Sequence, residues 1–97
     1  MKEGPFMAKF EKKKAAEAEL LKLQIRQWDT WTSPAPPGFD WEYDAKETFY
    51  ILEGEAEIVS GNDKINFGPG DLVTVYPEAG KCRWNVKRTI KKHYLFG

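Results

Sequence analysis

An all-β sandwich or barrel is the fold class this sequence predicts, and three observations predict it. Short β-prone runs follow one another from residue 39 to the C-terminus, turn residues bound each of them, and aromatic and β-branched side chains fill them. Seven such runs, at 39–43, 48–52, 56–59, 64–67, 72–76, 81–86 and 90–96, recur at the spacing of all-β domains. At 97 residues the chain can build one core, burying roughly 60% to 65% of its unfolded surface, and is too short for two.

The first part of the chain has a different composition. Gly4, Pro5 and scattered charges show no period over 1–10, whereas strong helix formers follow, with Leu20, Leu21, Leu23 and Ile25 toward the end. This predicts a helix over 11–23, solvated at its start. Residues 1–27 are therefore assigned to an N-terminal extension carrying that helix, and 28–97 to the β domain. The Lys12-Lys13-Lys14 run reads as a solvated helix face with no function of its own.

Trp28 and Trp31 precede a connector, Ser33-Pro-Ala-Pro-Pro-Gly38. Its prolines lack amide donors, which excludes both a continuing helix and a central strand. The two tryptophans are expected to anchor this connector against the β domain rather than to meet a ligand. Among the later runs, Ser60-Gly-Asn-Asp63 and Phe67-Gly-Pro-Gly70 carry the clearest turn signals. Gly54, Gly70 and Gly80 are read as backbone devices at tight turns, with Gly54 closing a hairpin that begins near Glu47. None of them precedes a helix, so none cradles phosphate.

Charge narrows the function classes. Fifteen basic and fifteen acidic residues cancel, so no global field recruits nucleic acid or an anionic membrane, and neither is expected as a partner. Cys82 has no second cysteine with which to form an intrachain disulfide. The N-terminus offers no apolar stretch long enough for a signal peptide or membrane span, so a cytoplasmic or organellar location is expected.

The densest motifs are Trp41-Glu-Tyr-Asp-Ala-Lys-Glu-Thr-Phe-Tyr-Ile-Leu-Glu-Gly54 and Gly68-Pro-Gly-Asp-Leu-Val-Thr-Val-Tyr-Pro77. Together they resemble the two-part motif of the cupins. Trp28-x-x-Trp31, Phe39-x-Trp41-x-Tyr43, Glu47-Thr48, Cys82-x-Trp84 and Lys92-His-Tyr94 resemble a narrower branch, the small cupins grouped with ureidoglycine aminohydrolase and the ethanolamine-utilisation cupin. The similarity covers roughly residue 28 to the C-terminus. It implies a single conical antiparallel β-barrel of the jelly-roll type, and a homodimer in which a second copy covers open sheet edges.

A metal-binding cupin presents two histidines one residue apart, a glutamate four residues after the second, and a third histidine in the second motif. The resemblance places Trp41 and Tyr43 at the paired histidine positions and Cys82 at the third. Only Glu47 is retained, so no ordinary metal site, and no cofactor, is expected. Glu47, Cys82, Tyr43 and His93 are the donors left for a divalent manganese, iron or zinc ion in the alternative reading.

Period-two alternation puts Trp41 and Tyr43 on one strand face, and Glu47, Phe49 and Ile51 on one face of the next strand. The expected site is thus a carboxylate among aromatic walls, suited to a small polar molecule or a cationic amine. Glu47, Tyr43 and Cys82 are the catalytic candidates, while Trp41, Phe49, Trp84 and His93 are the ligand-lining ones. Four of these have a structural alternative: Glu47 as a buried acceptor tied to Tyr43 or to a backbone amide, Cys82 as a small buried hydrophobe, Trp84 as core, and His93 as a surface or hydrogen-bonding residue. Three functions remain open at this point. They are a metal-independent small-molecule-binding cupin with weak acid-base chemistry, a metal-assisted hydrolase related to ureidoglycine aminohydrolase, and a non-catalytic interaction module whose own rings fill its cavity.

Overall fold

The structure is a computed structural model and describes residues 9–33 and 36–97. Its elements are β1 (Phe10–Lys14), α1 (Glu17–Lys22), a 3₁₀ turn at Ile25–Gln27, β2 (Asp29–Thr32), β3 (Gly38–Glu42), β4 (Glu47–Ser60), β5 (Asp63–Phe67), β6 (Asp71–Val75), a 3₁₀ turn at Pro77–Ala79, and β7 (Lys81–Phe96). All strand pairings are antiparallel, in the order β1-β6-β4-β7-β2, with β5 also on β4 and β3 also on β7.

Two long strands organise this sheet. β4 and β7 pair with each other along most of their length. Each then changes its outer neighbour: β4 meets β6 through Glu47–Tyr50 and β5 through Ala56–Ser60, while β7 meets β3 near its start and β2 near its end. Rings from the two halves meet in the interior, with Phe49 lying 5.2 Å from Phe67 and 5.5 Å from Trp84, centroid to centroid. The core of Phe49, Ile51, Ile58, Val73, Val75, Trp84, Val86 and Ile90 therefore sits between the halves. Fully burying each aliphatic or aromatic chain there contributes about 1.5–3 kcal/mol.

Glycine permits the irregularity that joins the halves. The β4–β7 register shifts repeatedly between Ile51 and Ala56, and Gly54 lies within it at φ 96°, so close to the Thr89 carbonyl that a Cβ would collide with it. The hairpin expected to close at Gly54 is thus one continuous strand with a bulge, and the runs at 48–52 and 56–59 are its two ends. A bulge keeps the strand paired because β7 opposes it on both sides. Gly38, at φ 138°, likewise lets β3 approach the Trp84 carbonyl without a Cβ in the way.

The N-terminal region departs from the expected helix over 11–23. Residues Phe10–Lys14 pair with Asp71–Val75, and only Glu17–Lys22 is helical. Strand geometry brings Lys12 to β5 and Lys14 to the start of β6: Lys12 Nζ donates to Asn66 O at 2.7 Å, and Lys14 Nζ lies 3.1 Å from Asp71 Oδ1. Tertiary pairing with an open edge outweighs helix propensity at these exposed lysines. The short α1 and the following turn place Leu20 and Ile25 on Leu72, with Trp28 and Tyr50 packed beside them, forming a second cluster outside the main core. Asp29–Thr32, to which the sequence assigned no element, is a strand paired with β7. Pro34 and Ala35 of the proline-rich connector, and the aperiodic stretch 1–8, lie outside the described residues.

Candidate functional site

Side chains from four strands, β2, β3, β4 and β7, build a cavity at one end of the core. Trp41 and Tyr43 come from β3 and the residues after it, Glu47 from the start of β4, and Trp84, Lys92, Tyr94 and Phe96 from β7. With Trp31 and Phe39 they line a cavity of about 230 Å³. Its walls are mostly rings. Phe39 stacks on Trp84 at 5.3 Å and 17°, and Trp31 meets both edge-on.

The polar centre is a buried triad of Tyr43, Glu47 and Lys92. Lys92 Nζ lies 2.7 Å from Glu47 Oε2, and the Tyr43 hydroxyl donates to Glu47 Oε1 at 2.8 Å. Register explains the lysine: Glu47 pairs with Phe96, whereas Lys92 pairs with Ile51. The ammonium must therefore reach along the strand past Phe49, and only a long flexible stem spans that distance. Its tip rests 4.3 Å from the Phe49 ring centroid, 4.6 Å from Trp84, 4.9 Å from Trp31 and 5.7 Å from Tyr94. The ring faces stabilise the cation.

Burial shapes the titration of this group. Loss of solvent pushes the Lys92 ammonium below the ordinary lysine range, and the adjacent Glu47 opposes that shift. The Tyr43 phenol is pushed far up, first by burial and then by the Glu47 charge, so it remains a donor through the neutral range. Glu47 thus has one oxygen on a cation and the other on a phenol, an arrangement in which a buried carboxylate is satisfied.

Cys82, His93 and Phe49 lie outside the cavity lining. Cys82 is buried outside the cavity lining, its thiol directed at the Ala79 and Gly80 carbonyl oxygens at 3.7 Å and 3.5 Å, and burial pushes that thiol up from its usual range. Such a thiol is a poor nucleophile. His93 points away from Lys92 by strand alternation, with Nδ1 3.2 Å from the Trp28 carbonyl oxygen. Phe49 lies beneath the site under the Lys92 ammonium and does not line the cavity. Trp84 serves both roles left open for it, as a core residue and as a cavity wall.

The two early tryptophans diverge. Trp28 packs on the outer cluster, as an anchor should, whereas Trp31 lines the cavity and faces Lys92. Sequence reasoning missed Lys92 itself. The available signal was its parity: Ile90, Lys92 and Tyr94 fall on one face of the last run, which puts a lysine among inward-facing residues.

Residues 20–94 match the EutQ-like cupin domain family. The chain belongs to that family. A DUF861 family protein from Thermotoga maritima has a crystal structure that superposes on this EutQ-like cupin with a TM-score of 0.82, at 36% sequence identity over 91% of this chain and 99% of that one. No curated protein matches the sequence. Among the described residues, no helix is long and apolar enough to cross a membrane.

The donor set of this EutQ-like cupin does not fit the divalent metal of metal-binding cupins. Around Glu47 stand a tryptophan, a phenol and an ammonium, and an ammonium repels a second cation. Cys82 and His93 are bonded elsewhere, and among the described residues no three His, Cys, Asp or Glu side chains gather as ligands. The positive charge beside the carboxylate is supplied by Lys92. The aromatic cage and Glu47, where a cationic amine was expected, hold a cation from the chain itself.

Proposed function

We propose that this EutQ-like cupin is a metal-independent binder of a small, largely apolar molecule carrying one hydrogen-bonding group. The observation that carries this reading is the aromatic cavity of about 230 Å³ with the Tyr43–Glu47–Lys92 triad in its wall. Its volume suits a compact ligand, and rings with a few convergent polar groups are the usual composition of such sites. The triad, being neutral overall, selects a hydrogen-bonding group rather than an ion. A filled interior, as an interaction module would have, is not favoured by open space beside Glu47. Chemistry like that of ureidoglycine aminohydrolase would, by analogy, ask for a metal that the donor set does not suit.

A second copy of the chain belongs to the same proposal, because Trp41 and Phe96 leave apolar surface exposed at the cavity rim.

Benzyl alcohol tests the reading, because Trp31, Trp41 and Trp84 line the cavity and report on its occupant through their fluorescence. Saturable quenching, weakened by Trp41→Ala and by Glu47→Gln in proteins that remain folded, is the expected result. Quenching that neither substitution alters would overturn it.

A further inference from the structure

Lys92 combines three features that are rarely found together in a structural lysine. Its amine faces the cavity, its side chain is only 6% exposed, and a carboxylate lies within proton-transfer distance. Lys13 and Lys14 also pair with carboxylates, but their side chains are exposed and neither lines this cavity. Taking the cavity as a small-molecule site, as argued above, we propose that Lys92 forms a covalent imine with a small uncharged aldehyde or ketone bound there.

The step balances within the triad. The Lys92 ammonium passes a proton across the 2.7 Å hydrogen bond to Glu47 Oε2, which frees the Nζ lone pair. Nζ attacks the carbonyl carbon, a nitrogen–carbon bond forms, and the carbonyl π pair moves to oxygen, which takes that proton back from Glu47. The amine then loses a second proton to Glu47, which delivers it to the hydroxyl of the carbinolamine. The carbon–oxygen bond breaks, water leaves with two hydrogens that began on nitrogen, and a protonated imine remains. Total charge is unchanged, so the iminium inherits the place of the ammonium, paired with Glu47 and faced by Phe49, Trp84 and Trp31. Tyr43 is a positioning residue here: its hydroxyl holds Oε1 and leaves Oε2 directed at Nζ. Burial, which disfavours the ammonium, supports the same chemistry.

The class of carbonyl compound follows from the walls. A carboxylate-bearing aldehyde would bring an anion beside Glu47 with no second cation to match it, whereas an aryl or alkyl aldehyde places its apolar part on Trp31, Phe39 and Trp84.

Benzaldehyde followed by sodium borohydride converts any imine to a stable benzylamine that peptide mass spectrometry locates. At neutral pH, Lys92 is expected to carry the benzyl group about tenfold above the average exposed lysine, by virtue of held proximity. Excess benzyl alcohol, which cannot form an imine, should lower that ratio, and Glu47→Gln should lower it while leaving surface labelling unchanged. Labelling spread over surface lysines without enrichment at Lys92 overturns the imine proposal. If benzyl alcohol still quenches the cavity tryptophans in that case, the binding reading survives alone; if it does not, both fall. The wild-type measurement decides the matter even if a variant fails to fold.

Discussion

Lys92 and Glu47 meet diagonally across the two longest strands, Nζ to Oε2 at 2.7 Å, although their backbones belong to different pair positions of the ladder. Both side chains are more than nine-tenths buried. An ion pair in such a place costs desolvation on both sides and is not by itself a source of stability. What it does impose is mutual dependence.

Lys92→Met should therefore destabilise the protein by about 3–5 kcal/mol in urea unfolding, because it leaves Glu47 buried with only Tyr43 as partner. Adding Glu47→Gln should recover part of that loss, since the stranded charge is then removed. A double variant whose cost equals the sum of the single costs would show that the pair is not energetically coupled.

Tyr43 sets an alkaline limit. Its folded-state phenol ionises above the ordinary value of 10.0, so its stabilising contribution is complete below that pH. Above it, the unfolded chain releases the proton while the folded chain keeps it, and stability is lost as pH rises. Glu47 and Cys82 reinforce this shift and Trp84 opposes it. Tyr43→Phe should cost about 1.5–3 kcal/mol at neutral pH, the range for a hydrogen bond to a charged group. The gap between variant and wild type should narrow above pH 10.0; a constant gap across that range would refute the account.

Cys82 should resist iodoacetamide in the native protein and react promptly in urea, because its thiol is buried and held by two carbonyl oxygens. Cys82→Ala should leave benzyl alcohol binding unchanged. Fast native alkylation, or loss of that binding, would return Cys82 to the site.

Gly54→Ala should lower stability by about 1–3 kcal/mol or more, since it combines a positive φ with collision against the Thr89 carbonyl. Thermal unfolding measures this directly. An unchanged melting temperature would mean that the β4–β7 bulge relaxes freely.

The β domain was legible in the sequence because its signals are local: alternation gave the inward faces of Glu47, Phe49 and Ile51, and Gly70-Asp71 opened a strand as expected. Long-range pairing left weaker traces. Nothing local distinguishes Lys12-Lys13-Lys14 on a helix from the same residues on an edge strand, and the open edge of β6 decides between them. The aromatic walls and Glu47 were likewise readable from spacing, as was the Tyr43 partner offered as an alternative. Lys92 was not, because a charged residue on an inward face is first read as an error of register. Cys82 was drawn into the site by alignment with a ligand position, yet the turn at Pro77–Ala79 presents carbonyl oxygens that turn its thiol away from the cavity.

The Lys92 charge also differs from a bound ion in where it comes from. An ion must be acquired, can be stripped by a chelator, and can be exchanged for a competitor when supply changes. An ammonium tethered to β7 arrives with translation, in a fixed ratio of one per chain, and leaves only if the chain unfolds or the amine is chemically capped. On the proposed metal-independent reading, the polarity of this cupin's cavity would be indifferent to metal starvation and vulnerable instead to reagents that consume amines.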